Sequence, residues 1–165
     1  MATKDWEGYF PIRHEGGGNL DEGIVLRWLT NLLKSTKREV VFHNALYDVG
    51  WLRREGVIVH GKILDTIIAA PLLNENRFSY SLDNLGVEYC DERKDESLLK
   101  NAALAFGINP KSEMYKLHAK YVGPYGQQDA SLTLKLWNKL KIEIAQQGLE
   151  KIFEMESKLI PLLLE

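Results

Sequence analysis

An α/β fold with a helix-rich C-terminal half is predicted by three features of the sequence. Short apolar runs typical of strands alternate with amphipathic helical patterns through the first half of the chain. From Ser81 onward, apolar residues recur only at helical spacing. The chain has 165 residues, of which 45% are hydrophobic and 27% charged, as is typical of one globular domain. We therefore expect a single domain in which helices flank a sheet.

The N-terminal region predicts an edge strand, a turn and a helix. Residues 8–13 have the composition of a short strand, and Pro11 favours a position at the edge of a sheet. Glycines 16–18 indicate a flexible turn, because no Lys-Ser or Lys-Thr pair follows them as in a phosphate-binding loop. Asn19 or Asp21 is expected to cap the next helix. The apolar stripe of that helix, expected in the core, consists of Ile24, Val25, Trp28, Leu29, Leu32 and Leu33.

Two strand-to-helix units are predicted next. Residues 39–43 form a short buried strand, and Asn44 is a suitable cap for a helix that ends near Gly56. Residues 57–64 predict another strand, and a helix begins after it at Asp65. This alternation is the basis for the α/β class.

The C-terminal half predicts helices with short connections. Lys94–Glu96 is interpreted as the charged first turn of one of these helices. The predicted segments are a short turn at 81–85, helices at 94–106, 124–147 and 149–164, and a segment that starts at Pro110.

Composition excludes several classes of protein. The formal net charge is −2, so any nucleic-acid site must be local rather than the result of bulk positive charge. Cys90 is the single cysteine, which excludes an intrachain disulfide and a cysteine-based zinc site. The four histidines show no metal-ligand spacing, so zinc is not expected. No apolar run approaches the roughly 20 residues of a membrane helix, and we expect a soluble intracellular protein without a membrane partner.

Asp48 is the first candidate site residue. It lies in the first turn of a predicted helix that directly follows a strand, and ligand sites of α/β sheets form where strands end and helices begin. A carboxylate at this position can hold a metal ion. The alternative is that Asp48 only favours the positive N-terminal end of its helix.

Tyr125 and Asp129 form the second candidate group. A separation of four residues places both side chains on one face of the long predicted helix, one turn apart. The pair suits phosphodiester hydrolysis, because the acid can hold a divalent ion and the phenol can orient the attacking water. The alternative is a surface tyrosine next to a solvated aspartate.

The order and spacing of these segments resemble a known family. Asn44-x-x-x-Asp48, followed about eighty residues later by Tyr125-x-x-x-Asp129, is similar to the second and third motifs of the tyrosine-bearing DEDD 3′–5′ exonucleases. The closest match is to the proofreading domain of bacteriophage family A DNA polymerases, and it runs from about Tyr9 to the end of the chain. Further segments that resemble this family are residues 62–70, 79–85, 130–137 and 153–161.

The resemblance implies a ribonuclease-H-like fold with a mixed sheet and a two-metal site for Mg²⁺ or Mn²⁺. In such a site Asp129 and Asp48 bind metal and Tyr125 is catalytic. The family's first motif is an Asp-x-Glu on an opening apolar strand, whereas this chain has only Asp5-Trp6-Glu7 after four mixed residues. We interpret Asp5 and Glu7 as hairpin-turn residues. We therefore expect the first strand and its two acids to be missing and the chain alone to be a poor nuclease.

The expected partner is the 3′ end of single-stranded DNA. Cations for phosphates and flat side chains for bases occur together just before the second candidate group. The residues that we assign to nucleic-acid binding are Asn44, Leu98, Lys116, Lys120 and Tyr121. A solvated lysine-rich helix face is the alternative interpretation.

The chain is expected to divide into a partial exonuclease domain, residues 1–148, and a helix, residues 149–165, that leads toward an absent polymerase domain. That polymerase domain would be encoded separately or lost, and the cytoplasm of a bacterium or a phage-infected cell is the expected location. Two other functions remain open. One is a ribonuclease-D-like exonuclease acting on RNA, since the same acids serve both reactions. The other is a non-catalytic remnant that binds nucleic acid.

Overall fold

Two parallel strands and seven α-helices occur in residues 1–164, the part of the chain that the computed structural model describes. Strands and helices alternate in the first half and only helices follow, which confirms the predicted α/β class. No helix in this part of the chain has the length and apolarity that crossing a membrane requires. The elements are α1 Glu22–Leu33, β1 Glu39–Phe42, α2 Ala45–Arg54, β2 Lys62–Asp65, α3 Thr66–Leu73, α4 Leu82–Cys90, α5 Ser97–Phe106, α6 Ala119–Gln146 and α7 Glu150–Leu163.

The sheet is smaller than the sequence predicts. β1 and β2 pair in parallel, with Glu39 opposite Lys62 and Phe42 opposite Asp65, and within residues 1–164 this sheet contains only these two strands. The predicted mixed sheet is therefore wrong for the described chain. The predicted strand at 57–64 pairs only from Lys62, because the chain before it turns at Gly61 against the backbone of Arg38. A Cβ at Gly61 would lie 2.1 Å from the Arg38 carbonyl oxygen.

The N-terminal segment forms a hairpin-like turn, and it contains a single bridge pair rather than an extended strand. Ala2 and Glu7 form an isolated antiparallel bridge, with Asp5 in the bend between them. The interpretation of Asp5 and Glu7 as hairpin residues is therefore confirmed. The predicted strand at 8–13 is wrong, because the ring of Tyr9 packs on Gly123 and Gly126 of α6 instead of joining a sheet.

Helix α1 is capped as predicted but buries less than predicted. The Asp21 carboxylate accepts a hydrogen bond from the Ile24 N–H at 2.8 Å. Of the stripe expected in the core, Val25 and Leu33 are buried, whereas Ile24 is 59% and Trp28 40% exposed. Part of the stripe faces the N-terminal segment, in which the ring centroid of Phe10 lies 4.6 Å from that of Trp28. The N-terminal segment does not cover this part of the stripe.

Three helix boundaries differ from the predicted ones. The predicted turn at 81–85 is the start of α4, which Ser81 caps through the Asn84 N–H and which continues to Cys90. Helix α5 begins at Ser97 rather than near Lys94. Helix α6 begins at Ala119, before Pro124. Pro124 is the sixth residue of α6, so it lies beyond the first turn and removes one intrahelical hydrogen bond, the one that a backbone N–H would donate to the Lys120 carbonyl oxygen.

The main core lies along one side of α6, where apolar side chains of α3, α4, α7 and β2 meet it. Helix α7 belongs to this packing, because Phe153 joins the main core and Ile160 packs with Ala45, Val49 and Ile63. The expected division of the chain after residue 148 stays a prediction. The buried members of the main core are Leu64, Ala69, Ala70, Leu82, Leu85, Leu132, Leu136, Leu140, Ile144 and Phe153.

Truncating a leucine of this core should cost far more than truncating an exposed one. Leu140 is fully buried on α6, whereas Leu104 of α5 is 82% exposed. We expect Leu140→Ala to lower the free energy of unfolding by about 3 kcal/mol, because it loses buried apolar surface and leaves a cavity. Leu104→Ala should change it by less than about 0.5 kcal/mol. Urea denaturation followed by circular dichroism measures both, and equal losses would contradict the position of the core.

Candidate active site

The Asp65 carboxylate joins the N-terminal ends of two helices. Asp65 is only 3% exposed and lies at the end of β2. Its Oδ1 accepts hydrogen bonds from the N–H groups of Asn44 and Ile67, both at 3.0 Å, and its Oδ2 accepts one from Ala45 at 2.7 Å. One buried acid therefore caps α3 and also holds the start of α2.

Asn44 occupies the N-cap position of α2 in a way that the sequence did not predict. Its side chain makes no capping hydrogen bond, and its backbone has left-handed dihedral angles of φ 78° and ψ 62°. The expectation that its side chain caps α2 is wrong, because a capping side chain reaches the second or third N–H of its helix from an extended backbone, and the backbone of Asn44 is left-handed. The Asp65 carboxylate accepts the hydrogen bonds of the Asn44 and Ala45 N–H groups. The Asn44 side chain is left exposed at the edge of the site.

His43, directly after β1, lies near both Asp65 and Asp129. The Thr66 hydroxyl donates to the Phe42 carbonyl oxygen at 3.2 Å, so His43 Nδ1, 2.7 Å from the same hydroxyl, acts as the donor to it. Burial lowers the pKa of His43, and the negative charges of Asp65 and Asp129 oppose that effect. The imidazole is therefore close enough for the charges of both carboxylates to affect its pKa.

Asp48 lies one turn into α2, as predicted, and is exposed. The pKa of its carboxyl is raised to about 6, first by the loss of hydration where protein atoms surround it and second by the negative charge of Asp65. Exposure of the residue as a whole leaves a path for an ion or a substrate. A cation at this position would relieve both effects, since each of them disfavours the bare carboxylate.

Tyr125 and Asp129 share one face of α6, as predicted, and a third residue lies between them. The ammonium of Lys94 is 2.7 Å from Asp129 Oδ1 and 3.2 Å from the Tyr125 hydroxyl oxygen. It also lies 4.4 Å from the centre of the Tyr125 ring. Burial and the charge of Asp129 raise the pKa of the Tyr125 phenol. Burial lowers the pKa of Lys94, but Asp129 and Tyr125 more than offset this, and the pKa is raised.

The sequence analysis missed the roles of Lys94 and Asp65. Lys94 was assigned to the first turn of a helix, which is wrong, because it lies in the connection between α4 and α5. No local pattern connects it with Asp129 on a different helix. Asp65 does carry a signal, since an aspartate that directly precedes a helix is a preferred N-cap. Its second role, at the start of α2, depends on the pairing of β1 with β2.

Asp48 on α2 and Asp129 on α6 are the two carboxylates that the sequence predicts as ligands of a divalent ion. Asp129 Oδ1 is buried and accepts no hydrogen bond, because the Lys94 ammonium is close to it without the direction that a hydrogen bond requires. Carboxylate oxygens are the ligands that Mg²⁺ and Mn²⁺ prefer. Throughout residues 1–164, however, no three His, Cys, Asp or Glu side chains come close enough together to hold a metal. The donors fit such an ion in chemistry but not in number.

The structure places the predicted nucleic-acid residues on separate elements: Asn44 at the start of α2, Leu98 on α5, Lys116 just before α6, and Lys120 and Tyr121 in the first turn of α6. Lys120 lies 4.8 Å from the ring centre of Tyr121, which is one turn before Tyr125 on α6. Lys116 is paired with Glu113 at 2.6 Å, so a phosphate would have to compete for it. Leu98 is exposed on α5. The sequence analysis did not assign Phe106, which is also exposed and whose ring lies 6.3 Å from that of Tyr121.

The arrangement defines a class of protein, a nuclease-like α/β domain. Its acids lie where β1 and β2 end, which is the edge at which parallel sheets bind ligands, and a Tyr–Asp pair lies on a later helix. A family model described as 3′–5′ exonuclease, of family A DNA polymerases, matches residues 7–145. The chain belongs to this 3′–5′ exonuclease family of family A DNA polymerases, a family of hydrolases.

Relatives among phage and bacterial polymerases confirm the predicted family. Over 158 residues the chain is 39% identical to a DNA-directed DNA polymerase of Pseudomonas phage M6. The aligned region covers 94% of the chain and 24% of that polymerase. It is 30% identical over 182 residues to DNA polymerase DpoZ of Vibrio phage phiVC8, covering 99% of the chain and 28% of the relative. DNA polymerase I of Treponema pallidum is 29% identical over 142 residues, and this aligned region covers 84% of the chain and 14% of the relative. The chain spans less than a third of the length of each of these relatives.

Removing the Asp65 carboxylate should destabilise the fold strongly. Asp65→Ala leaves three backbone N–H groups without their acceptor at a buried position. We expect a loss of about 3 kcal/mol or more in the free energy of unfolding. Asp21→Ala, which removes an exposed cap from α1, is the matched control and should cost about 1 kcal/mol. Urea denaturation measures both variants. A loss for Asp65→Ala no larger than the control's would contradict the joint capping.

Stability should fall as the pH drops through the titration of His43. Because its folded-state pKa is lowered, the folded state binds the proton less well than the unfolded chain does. This contribution is present above about pH 6.5 and is lost as the pH falls below it. His43→Asn keeps a donor for Thr66 but cannot titrate. We expect the urea midpoint of the wild type to fall more between pH 7.5 and about 5.5 than that of the variant. Equal falls would refute the assignment.

Proposed function

We propose that this chain removes nucleotides from the 3′ end of single-stranded DNA, as the proofreading exonuclease module of a family A DNA polymerase. The observation that carries the proposal is the Tyr125–Asp129 pair on α6, placed near the strand ends at which Asp48 lies, in a chain matched by the exonuclease family. The names of the polymerase relatives support DNA as the substrate. The phage and bacterial sources of these relatives support the cytoplasm of a bacterium or an infected cell as the location.

The fold that we propose is ribonuclease-H-like. The parallel pair β1 and β2, connected through α2, supports it, because such a unit places the start of the helix beside the strand ends. The long α6 brings Asp129 close enough to His43, directly after β1, for its charge to act on the imidazole. In the proposed fold a scissile phosphate would bind between the strand ends and the Tyr125–Asp129 pair.

Each site residue has a proposed role. Asp48 and Asp129 would hold Mg²⁺ or Mn²⁺, which supplies neutralisation of phosphate charge and an activated water when bound. The Tyr125 hydroxyl orients the attacking water by hydrogen bonding, and its raised pKa keeps the phenol protonated and able to donate. His43 is neutral near pH 7 and acts as a support for the strand end rather than as a charged contact.

The surface around Tyr121 is proposed to hold the DNA strand. Lys120 and Lys116 provide positive charge for phosphates, and exposed Phe106 and Tyr121 provide flat surfaces on which bases can stack. Leu98 on α5 is proposed as the apolar contact for the terminal base. The cations are local, in agreement with an overall charge of only −2.

The chain alone is proposed to bind metal weakly and to act slowly. The support is the shortage of ligands, since among the described residues no three acidic, histidine or cysteine side chains gather around one point. Mg²⁺ requires nearly octahedral coordination by several oxygens. A polymerase domain is the proposed partner.

A 5′-labelled single-stranded DNA oligonucleotide tests the function. With about 10 mM Mn²⁺ we expect slow stepwise shortening from the 3′ end, visible on a denaturing gel and abolished by EDTA. Asp129→Asn should slow it by about 100-fold, because one of the two proposed carboxylate ligands of the metal is lost. Asp91→Asn is the matched control, because it removes an exposed acid that has no proposed role. Asparagine tolerates the left-handed backbone of this position, and the rate should not change.

The same assay discriminates the alternatives. Faster shortening of an RNA oligonucleotide of the same sequence would support the hypothesis of a ribonuclease-D-like exonuclease. No shortening of either nucleic acid, or shortening that Asp129→Asn leaves unchanged, would exclude the proposed site.

A further inference from the structure

Lys94 is held in place from both sides by its backbone neighbours. It lies in the connection between α4 and α5, and its N–H donates to Asp83 Oδ1 of α4 at 3.0 Å. The next N–H, of Asp95, donates to Gln128 Oε1 of α6 at 2.8 Å, and Gln128 Nε2 donates back to the Arg93 carbonyl oxygen at 3.3 Å. The direction of the Lys94 side chain is therefore set by contacts with two helices.

The Lys94 ammonium fills the position where Tyr125 and Asp129 converge. The side chain is only 10% exposed, and its ammonium contacts Asp129 Oδ1 at 2.7 Å and the Tyr125 hydroxyl oxygen at 3.2 Å. Glu96 adds a weaker contact at 4.0 Å. A surface lysine has no desolvation cost, so a largely buried one in this place indicates that the negative site requires a cation.

Asp129 Oδ1 cannot be reached while Lys94 is present. This oxygen is buried, and the nearest cation to it is the Lys94 ammonium. A divalent ion bound to the same oxygen would lie about 2.1 Å from it. Two cations that close together repel strongly in a half-buried site. Binding of a metal to Oδ1 therefore requires the ammonium to leave.

We propose that Lys94 is a built-in competitor for the metal, whose ammonium occupies the cation position of Asp129 until a divalent ion displaces it. This inference rests on the proposed function, because it concerns the same carboxylate. Lys94 thereby holds the Tyr125–Asp129 pair together in the metal-free domain and lowers the affinity of Asp129 for metal. Its role is that of a positioning residue.

Mn²⁺ binding to the purified chain tests the inference without any measurement of activity. Electron paramagnetic resonance of free Mn²⁺ gives the affinity. We expect Lys94→Met to bind Mn²⁺ at least about tenfold more tightly than the wild type, which corresponds to about 1.4 kcal/mol. Lys94→Arg keeps the charge and should stay near the wild type. Lys100→Met removes the same charge from an exposed lysine paired with Glu96, and should change the affinity by less than about threefold.

The outcomes separate this inference from the proposed function. If Asp129→Asn does not weaken Mn²⁺ binding, Asp129 is not a metal ligand, and both fail. If Asp129→Asn weakens it but Lys94→Met does not strengthen it, only the competition is overturned.

A second measurement is made on the wild-type chain, and a variant serves only to assign the signal. Nitrogen-15 NMR of lysine ammonium groups in the wild type should show a protected Lys94 signal, assigned by its loss in Lys94→Arg. Mg²⁺ should shift that signal toward those of solvated lysines. A Lys94 signal that stays unchanged at saturating Mg²⁺ would overturn the inference.

Discussion

The site depends on one buried carboxylate that accepts hydrogen bonds from the starts of two helices. The first N–H groups of a helix have no partner within the helix, and burying them without an acceptor is costly. Asp65 satisfies such groups in both α2 and α3 because parallel pairing brings the ends of β1 and β2 side by side. The left-handed Asn44, and Asp48 one turn beyond it, take their positions from this contact.

Negative charge gathers at this edge of the sheet although the whole chain is almost neutral. The negative charge of Asp65 contributes to the raised pKa of Asp48. The charges of Asp65 and Asp129 both oppose the lowering of the His43 pKa by burial. The Lys94 ammonium offsets one of these charges at short range. A partly desolvated group of acids has a high energy without cations, and this is the physical condition under which a site binds divalent ions or basic side chains.

Local patterns were sufficient to predict the order of elements and the principal candidate acids. The spacing of Tyr125 and Asp129 placed them on one helix face, since the helical repeat alone decides that relation. The position of Asp48 after a strand required only the recognition of a strand-to-helix step. Helix α1 and its Asp21 cap were predicted for the same reason. Boundaries were less certain, as with Pro124, because a proline near a helix start can lie before or within it.

The sequence by itself determined the class, the family motifs and which side chains share a helix face, because these follow from neighbours along the chain. Only the tertiary structure decided which side chains meet across elements. It brought Lys94 to Asp129, gave Asp65 its second helix, and left Trp28 exposed where a core contact was expected. Such contacts depend on the packing of segments that are distant in sequence, and no local periodicity or propensity encodes that packing.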